Sequence, residues 1–274
     1  MDKDGTTAEK KTAPRQRRHC NGLDGKRWLQ NSISVWNDVR KTTDETRLGH
    51  PAMFPGMLVE RLIETFLPPQ ADVVLDPFAG SGSTVLTAER MGKRGIGLEL
   101  SAEYVELARH RLDELGDTKS TIIQAPAQDL LEHVSAGSVD LCISSPPYWD
   151  ILNQRRTADL KSVRHYGNLE GDLGTIADYE EFVESAAAVF GDVFKALKPG
   201  GYCCAIVMDL RKKSRFYPLH SDLATRLTEY GYIFDDLIIW NRQSEYNNLR
   251  PLGYPSVFRI NKVHEYILLM QKPR

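Results

Sequence analysis

The chain has little cysteine and none of it at metal-binding spacing. Only Cys20, Cys142, Cys203 and Cys204 occur. None forms a CxxC pair, and Cys142 and Cys203 sit inside apolar runs. A disulfide framework or a zinc site is not indicated, and buried free thiols in a reducing compartment are the expectation. No apolar run approaches the roughly 18 residues of a membrane span, and the polar, charged N-terminus does not read as a signal peptide. There is no excess of basic charge: the formal net charge is −2 over 274 residues. Contact with a polyanion would have to come from local patches. The sequence Gly-Lys-Ser/Thr is missing from the glycine-rich turn, which excludes a nucleotide-binding P-loop there. What remains is 41% hydrophobic and 26% charged residues. That is ordinary for a soluble globular protein of one large α/β domain or two small ones.

The stretch Asp140–Asp150, DLCISSPPYWD, organises the chain. The apolar run Leu141-Cys142-Ile143 reads as a short buried strand, and Pro146-Pro147 stop it. The prolines donate no backbone N–H, so carbonyls around Ser145 and Pro146 can point into a cleft at the carboxyl end of a sheet. Tyr148 and Trp149 place aromatic faces beside those acceptors. Convergent acceptors next to a stacking surface suit a flat heterocycle that carries an amino group.

A second element precedes it. Val73-Val74-Leu75 reads as a buried strand that runs into Asp76-Pro77-Phe78-Ala79-Gly80-Ser81-Gly82-Ser83-Thr84 and then a helix through Arg90. A strand, a glycine-rich turn and a helix start make a ligand-binding element in which backbone approaches the ligand closely. Gly95–Leu100 is the next strand and ends in Glu99, about 20 residues after the turn, where an acid commonly accepts from ribose hydroxyls. Ser101 can cap a helix running to about Leu115. Thr121-Ile122-Ile123 is a third strand, with Asp129 shortly after it.

The remaining pattern supplies the architecture. Leu58, Leu62, Ile63 and Phe66 recur at helical spacing after Pro55. Tyr179–Leu197 and Ser221–Tyr230 read as helices. Tyr202–Met208, Asp236–Trp240 and Glu265–Met270 read as strands, the last two joined without a helix. Seven strands mostly separated by helices imply an α/β fold: an open, mostly parallel sheet with helices on both faces and a C-terminal antiparallel hairpin. Residues 1–27, with Lys10, Lys11, Arg15, Arg17 and Arg18, read as a flexible basic arm. Residues 28–274 form the single folded domain. Arg155, Arg156, Lys161, Arg164, His165 and Tyr166 make a basic, aromatic loop, and Arg211, Lys212, Lys213 and Arg215, with Asp209, form a second candidate phosphate-contact loop.

Three motifs resemble the DNA amino-methyltransferase family. Ser145-Pro146-Pro147-Tyr148 is similar to its catalytic tetrapeptide, in the Ser form of the N4-cytosine group. Asp76–Thr84 resembles the DPFxGSG cofactor motif. His50-Pro51-Ala52-Met53-Phe54-Pro55 resembles the HPxxFP motif set against the methionine end of S-adenosylmethionine. The resemblance covers about residues 33–272 and implies a Rossmann-like methyltransferase fold. In many relatives that carry these motifs the catalytic one comes first, so this chain looks circularly permuted against them. It also lacks a large target-recognition domain, which leaves loops near 153–174 and 241–262 as candidates.

By this resemblance the cofactor is S-adenosylmethionine, leaving as S-adenosylhomocysteine, with no metal. His50, Phe54 and Pro55 would wall its pocket, and Asp76 through Thr84 would hold the methionine moiety, the Asp76 carboxylate near its cationic end. Glu99 and Leu100 would take the ribose, and Asp129 would lie near the adenine amino group. Ser145 Oγ and the Pro146 carbonyl would accept from the target amino group, with Pro147 completing the turn and Tyr148 stacking on the base, helped by Trp149. A hydroxyl can also donate to cytosine N3, which a carboxylate cannot. The expected activity is site-specific N4-cytosine methylation of double-stranded DNA, with the base flipped out. N6-adenine methylation, RNA base methylation and a non-catalytic nucleic-acid-binding subunit stay open. C5-cytosine chemistry uses a cysteine after proline, and no Pro-Cys occurs. A cytoplasmic location in a bacterial, archaeal or phage setting is expected, with no membrane partner and a homodimer left open.

Overall fold

The computed structural model describes residues 20–43, 45, 54–149, 169–246, 249 and 251–274. Its centre is an eight-stranded sheet in the order β1-β9-β10-β6-β5-β2-β3-β4. The strands are β1 (Val35–Trp36), β2 (Val73–Asp76), β3 (Arg94–Glu99), β4 (Thr121–Gln124), β5 (Val139–Ser144), β6 (Leu197–Val207), β9 (Ile233–Asn241) and β10 (His264–Gln271). Between β6 and β9 a separate antiparallel ribbon joins β7 (Leu210–Lys212) to β8 (Arg215–Tyr217). Strand β10 runs antiparallel to both its neighbours, β6 and β9. Every other pairing in the main sheet is parallel.

All seven expected strands are present, and the mostly parallel α/β architecture is the observed one. The eighth, β1, is two residues long and pairs Val35 with Ile239 and Trp36 with Trp240. So short a strand carries no alternation for sequence reading to detect. The antiparallel β9–β10 pair also forms, but β10 inserts between β9 and β6. The expected loop at Arg211–Arg215 is the β7–β8 ribbon instead.

Alternating side chains divide the core between the two faces of the sheet, as pleating requires. Val74, Leu141, Ile143, Cys204 and Ile206 point to one face. There they meet Leu58, Val59, Leu62 and Ile63 of α2 (Gly56–Phe66), together with Trp36 and Trp240. Leu75, Cys142, Cys203, Ala205 and Val207 point to the other. That face is covered by Phe182, Val189 and Phe190 of α6 (Tyr179–Ala196) and by Leu223 and Leu227 of α7 (Leu219–Glu229). All four cysteines are free thiols, and only Cys20 is exposed.

The N-terminal boundary differs from the reading of residues 1–27 as a flexible arm. Residues 1–19 lie outside the described residues. From Asn21 the chain is anchored: its buried side chain donates to the Thr65 carbonyl at 2.9 Å. Asp24 then caps α1 (Gly25–Asn31) by accepting from Arg27 N. A buried amide needs partners, and Asn21 finds one on α2. The edge strand is held by Arg61, which donates to both carboxylate oxygens of Asp38 at 2.8 and 2.7 Å and lies over Trp36. The guanidinium holds the Asp38 carboxyl down at about 2. Among the described residues no helix is long and apolar enough to cross a membrane.

Candidate active site

From β2 the chain runs to β3 and β4 on one side, then returns to β5 on the other side of β2. The connections after β2 and β5 therefore part at a topological switch point, where open α/β sheets bind ligands. The glycine-rich turn follows β2, the Ser-Pro-Pro-Tyr turn follows β5, Glu99 ends β3, and Asp129 closes a short 3-10 turn after β4. Four sequence motifs thus converge on the carboxyl ends of four adjacent parallel strands.

Asp76 stitches two of them together. One carboxylate oxygen accepts from Phe78 N at 3.0 Å and Ser144 Oγ at 2.5 Å; the other accepts from Thr84 Oγ1 at 2.7 Å. Thr84 Oγ1 also lies 3.3 Å from the Ile143 carbonyl. Asp76 is fully buried, and that burial pushes its carboxyl up to about 6 against the three donors that favour the ionised form. The carboxylate expected beside the cofactor's cationic end therefore faces inward. A desolvated carboxylate needs donors around it, and Ser144 and Thr84 provide them.

The turn itself is shaped for close approach. Gly82 has φ 85°, and a Cβ there would come within 3.0 Å of the Ala108 side chain. Gly97 on β3 leaves room for the turn above it: a Cβ would lie 2.8 Å from both Ala79 and Val85. Pro77, Ala79, Ser81, Gly82, Ser83 and Thr84 are buried, whereas Phe78 and Gly80 are half-buried. Gly80 N donates to one oxygen of Glu99 and Ser101 N to the other, both at 2.8 Å. Burial raises the Glu99 carboxyl above its usual range. Each Glu99 oxygen keeps a lone pair for a further donor. Leu100 and Asp129 are half-buried, and Ala125 N ties the end of β4 to the Glu99 carbonyl at 3.1 Å. Arg111 donates to the Ser81 carbonyl.

His50 lies outside the described residues. Phe54 and Pro55 are buried immediately before α2, with Phe54 packed in the same cluster as Val74 and Ala88. Gly56 N donates to Glu45 Oε1 at 2.7 Å. A Cβ on Gly56 would meet Thr87 on α3 (Ser83–Arg90) at 3.1 Å. The second half of HPxxFP therefore abuts the helix that follows the glycine-rich turn.

At the Ser-Pro-Pro-Tyr turn Ser145, Pro147 and Tyr148 are half-buried and Pro146 is buried. Ser145 Oγ is 2.9 Å from Tyr148 Oη, which is 2.8 Å from Glu265 Oε2. Glu265 is 4% exposed and pairs through its other oxygen with Arg242. Arg242 also pairs with Glu245 at 2.7 Å and lies over the Trp240 ring. Burial first, and then the Glu265 charge, hold the Tyr148 phenol well above its ordinary range.

Trp149 does not offer a stacking face. It is 4% exposed, donates to the Ile176 carbonyl at 2.9 Å and packs against Tyr179 and Tyr217, with Lys212 over its ring. Its φ of 53° lies in the left-handed region. Asp209 is likewise no phosphate contact: it is buried, and one oxygen lies 2.6 Å from His220 Nδ1. Arg155, Arg156, Lys161, Arg164, His165 and Tyr166 lie outside the described residues. Glu265 and Arg242 join the site without a motif to mark them. Their one local signal is an acid at the start of the otherwise apolar strand His264–Gln271.

The residues of the glycine-rich turn fit S-adenosylmethionine on one further observation. Ser81 Oγ in the glycine-rich turn is buried without a hydrogen-bond partner among the described residues. Such an atom calls for a polar ligand group.

The chain matches the family model described as DNA methylase, for N6 and N4 methyltransferases, over residues 3–110 and 139–274. The Type II methyltransferase M.ScaI of Streptomyces caespitosus is 36% identical over 99 residues, 34% of this chain and 31% of that protein. The DNA adenine methyltransferase YhdJ of Escherichia coli K12 is 40% identical over 82 residues, 29% of this chain and 27% of that protein. The chain therefore matches less than a third of the length of either relative. A solved S-adenosylmethionine-dependent methyltransferase from Methanosarcina mazei has a TM-score of 0.50 at 16% identity, covering 77% of this chain and 97% of that one, which shows a shared fold. The family match spans most of the sequence, and the chain belongs to the DNA methylase family of S-adenosylmethionine-dependent N6 and N4 amino-methyltransferases.

Proposed function

We propose that the protein methylates the N4 amino group of a cytosine flipped out of double-stranded DNA at specific sites. The observation that carries this reading is the half-buried hydroxyl of Ser145 in an SPPY turn, stitched through Ser144, Asp76 and Thr84 to the glycine-rich cofactor turn.

S-adenosylmethionine, when bound, supplies a methyl group on a positively charged sulfur. Phe54 and Pro55 would wall its methionine end, the turn Phe78–Gly82 would hold its polar groups, Glu99 would accept from its ribose, and Asp129 would lie by its adenine. Ser145 Oγ and the Pro146 carbonyl would accept from the two N–H bonds of the target. An aromatic amine is a weak nucleophile because its lone pair is delocalised into the ring. Two acceptors draw the nitrogen toward a tetrahedral form and stabilise its growing positive charge. Holding the reacting groups together supplies much of the remaining rate. Flipping the base costs about a few kcal/mol. Protein–DNA contacts in the loop that ends at Lys262 would offset that cost. Tyr254 and Phe258 stand 79% and 87% exposed there, next to Arg259. The β7–β8 ribbon adds Arg211, Lys213 and Arg215 as phosphate contacts.

N6-adenine methylation is the second reading, and two observations favour it. YhdJ, a DNA adenine methyltransferase, is among the similar proteins. In addition, Ser145 lies within hydrogen-bonding distance of Tyr148, and a proton given to Tyr148 cannot also be given to cytosine N3. Mass spectrometry of nucleosides from DNA methylated by the purified protein separates the two. N4-methylcytosine supports the proposal, and N6-methyladenine replaces it by the second reading.

A further inference from the structure

We infer that Glu265 is a positioning residue: through Tyr148 it fixes Ser145 Oγ as a hydrogen-bond acceptor facing the target amino group. The inference rests on the amino-methyltransferase reading and deepens it. It follows from counting hydrogens along one chain of contacts.

Arg242 has only donors to give, and it gives one to a Glu265 oxygen. The other Glu265 oxygen lies 2.8 Å from Tyr148 Oη. A carboxylate can only accept, so the single phenolic hydrogen points to Glu265. The Tyr148 oxygen is then left to accept, and the group 2.9 Å away is Ser145 Oγ. Ser145 therefore commits its one hydrogen to Tyr148 and presents lone pairs alone to the cleft. The order of donation runs from Ser145 to Tyr148 to Glu265, and Arg242 closes it from the far side.

This direction matters for the reaction. A hydroxyl free to rotate could aim its hydrogen at the amino nitrogen and compete for the lone pair that must attack the methyl carbon. A hydroxyl whose hydrogen is held elsewhere can only accept from the amino group, which strengthens the nucleophile. The buried Glu265 carboxylate, 4% exposed, sets that polarity from β10, 117 residues away in sequence from Tyr148. The high pKa of the phenol keeps its hydrogen in place over the working pH range.

The test uses the full chain with S-adenosylmethionine and DNA, comparing wild type, Glu265→Ala, Glu265→Gln and Tyr148→Phe. Glu265→Ala and Tyr148→Phe should each lower kcat by about 10- to 100-fold, the range for loss of a group that orients a reacting one. KM for DNA and cofactor affinity should stay within about twofold of wild type. The amide that Glu265→Gln introduces has one carbonyl, which Arg242 claims, leaving an N–H toward Tyr148 that reverses the order of donation; this variant should lose kcat as Glu265→Ala does. Wild-type kcat in Glu265→Ala, or in a folded Glu265→Gln, overturns the inference while leaving the enzyme class intact. A wild-type protein that transfers no methyl group sinks the class reading instead. The hydrogen bond is then read without turnover, by carbon-13 NMR of tyrosine labelled at Cζ, with Tyr148→Phe giving the assignment. The Tyr148 signal should ionise at lower pH in Glu265→Gln than in wild type; identical titrations overturn the inference.

Discussion

At the scale of single residues, Asp76 and Ser145 carry roles that can be checked separately from each other. Asp76 is fully buried and its carboxyl is pushed up to about 6 from an unfolded value of 3.8. A group raised in the folded state adds stability below its unfolded pKa, and that contribution is lost as pH rises through the folded pKa. Wild type should therefore lose stability relative to Asp76→Asn between about pH 4 and pH 6, by roughly 3 kcal/mol at most, and the gap should then stay constant. Denaturant unfolding of both proteins across that range measures it, and a pH-independent difference would mean that Asp76 is not held as described. Ser145→Ala removes an acceptor without touching the cofactor turn. Its kcat should fall by about 10²–10³-fold, the scale seen for loss of one preorganised polar group aimed at developing charge, with cofactor affinity unchanged by calorimetry.

At the scale of elements, what can be read from sequence depends on how local the signal is. The turn Asp76–Thr84 and the motif Ser145–Tyr148 are contiguous, and each sits where a strand stops, so both are legible. The convergence of their strands follows from the α/β pattern. The burial of Trp149 is not legible, because a positive φ and the Tyr179–Tyr217 cluster, both invisible in the local sequence, produce it. The role of Glu265 is hidden too, because its partner is brought close only by β10 lying beside β6. The glycine-rich turn depends on α3 resting directly on β3. Gly97→Ala places a methyl 2.8 Å from Ala79 and Val85 and should cost about 1–3 kcal/mol, the range for overpacking a tight core. A destabilisation below about 0.5 kcal/mol in thermal unfolding, within the range of inert substitutions, would show that the helix can shift freely. The β7–β8 ribbon makes a different prediction. Lys213→Gln with Arg215→Gln should weaken DNA binding nearly equally across sequences. It should also reduce the slope of log affinity against log salt by about 0.9 for each phosphate no longer neutralised. An unchanged slope would remove the ribbon from the DNA interface.

At the scale of the whole molecule, a chain with net charge −2 would have to bind the proposed DNA substrate through localised surface. Basic side chains on the ribbon and exposed aromatics on the loop before β10 supply candidates, and both are rooted in elements that border the Ser-Pro-Pro-Tyr turn. The sheet's switch point then brings the glycine-rich turn after β2 and the Ser-Pro-Pro-Tyr turn after β5 side by side. The decisive experiment is methyl transfer from labelled S-adenosylmethionine to DNA of mixed sequence, followed by nucleoside mass spectrometry, with Ser145→Ala in parallel. N4-methylcytosine is expected with the wild-type protein, and its near-complete loss in the variant. Label on a ring carbon, or undiminished amino-group methylation by Ser145→Ala, would contradict a serine-based amino-methyltransferase.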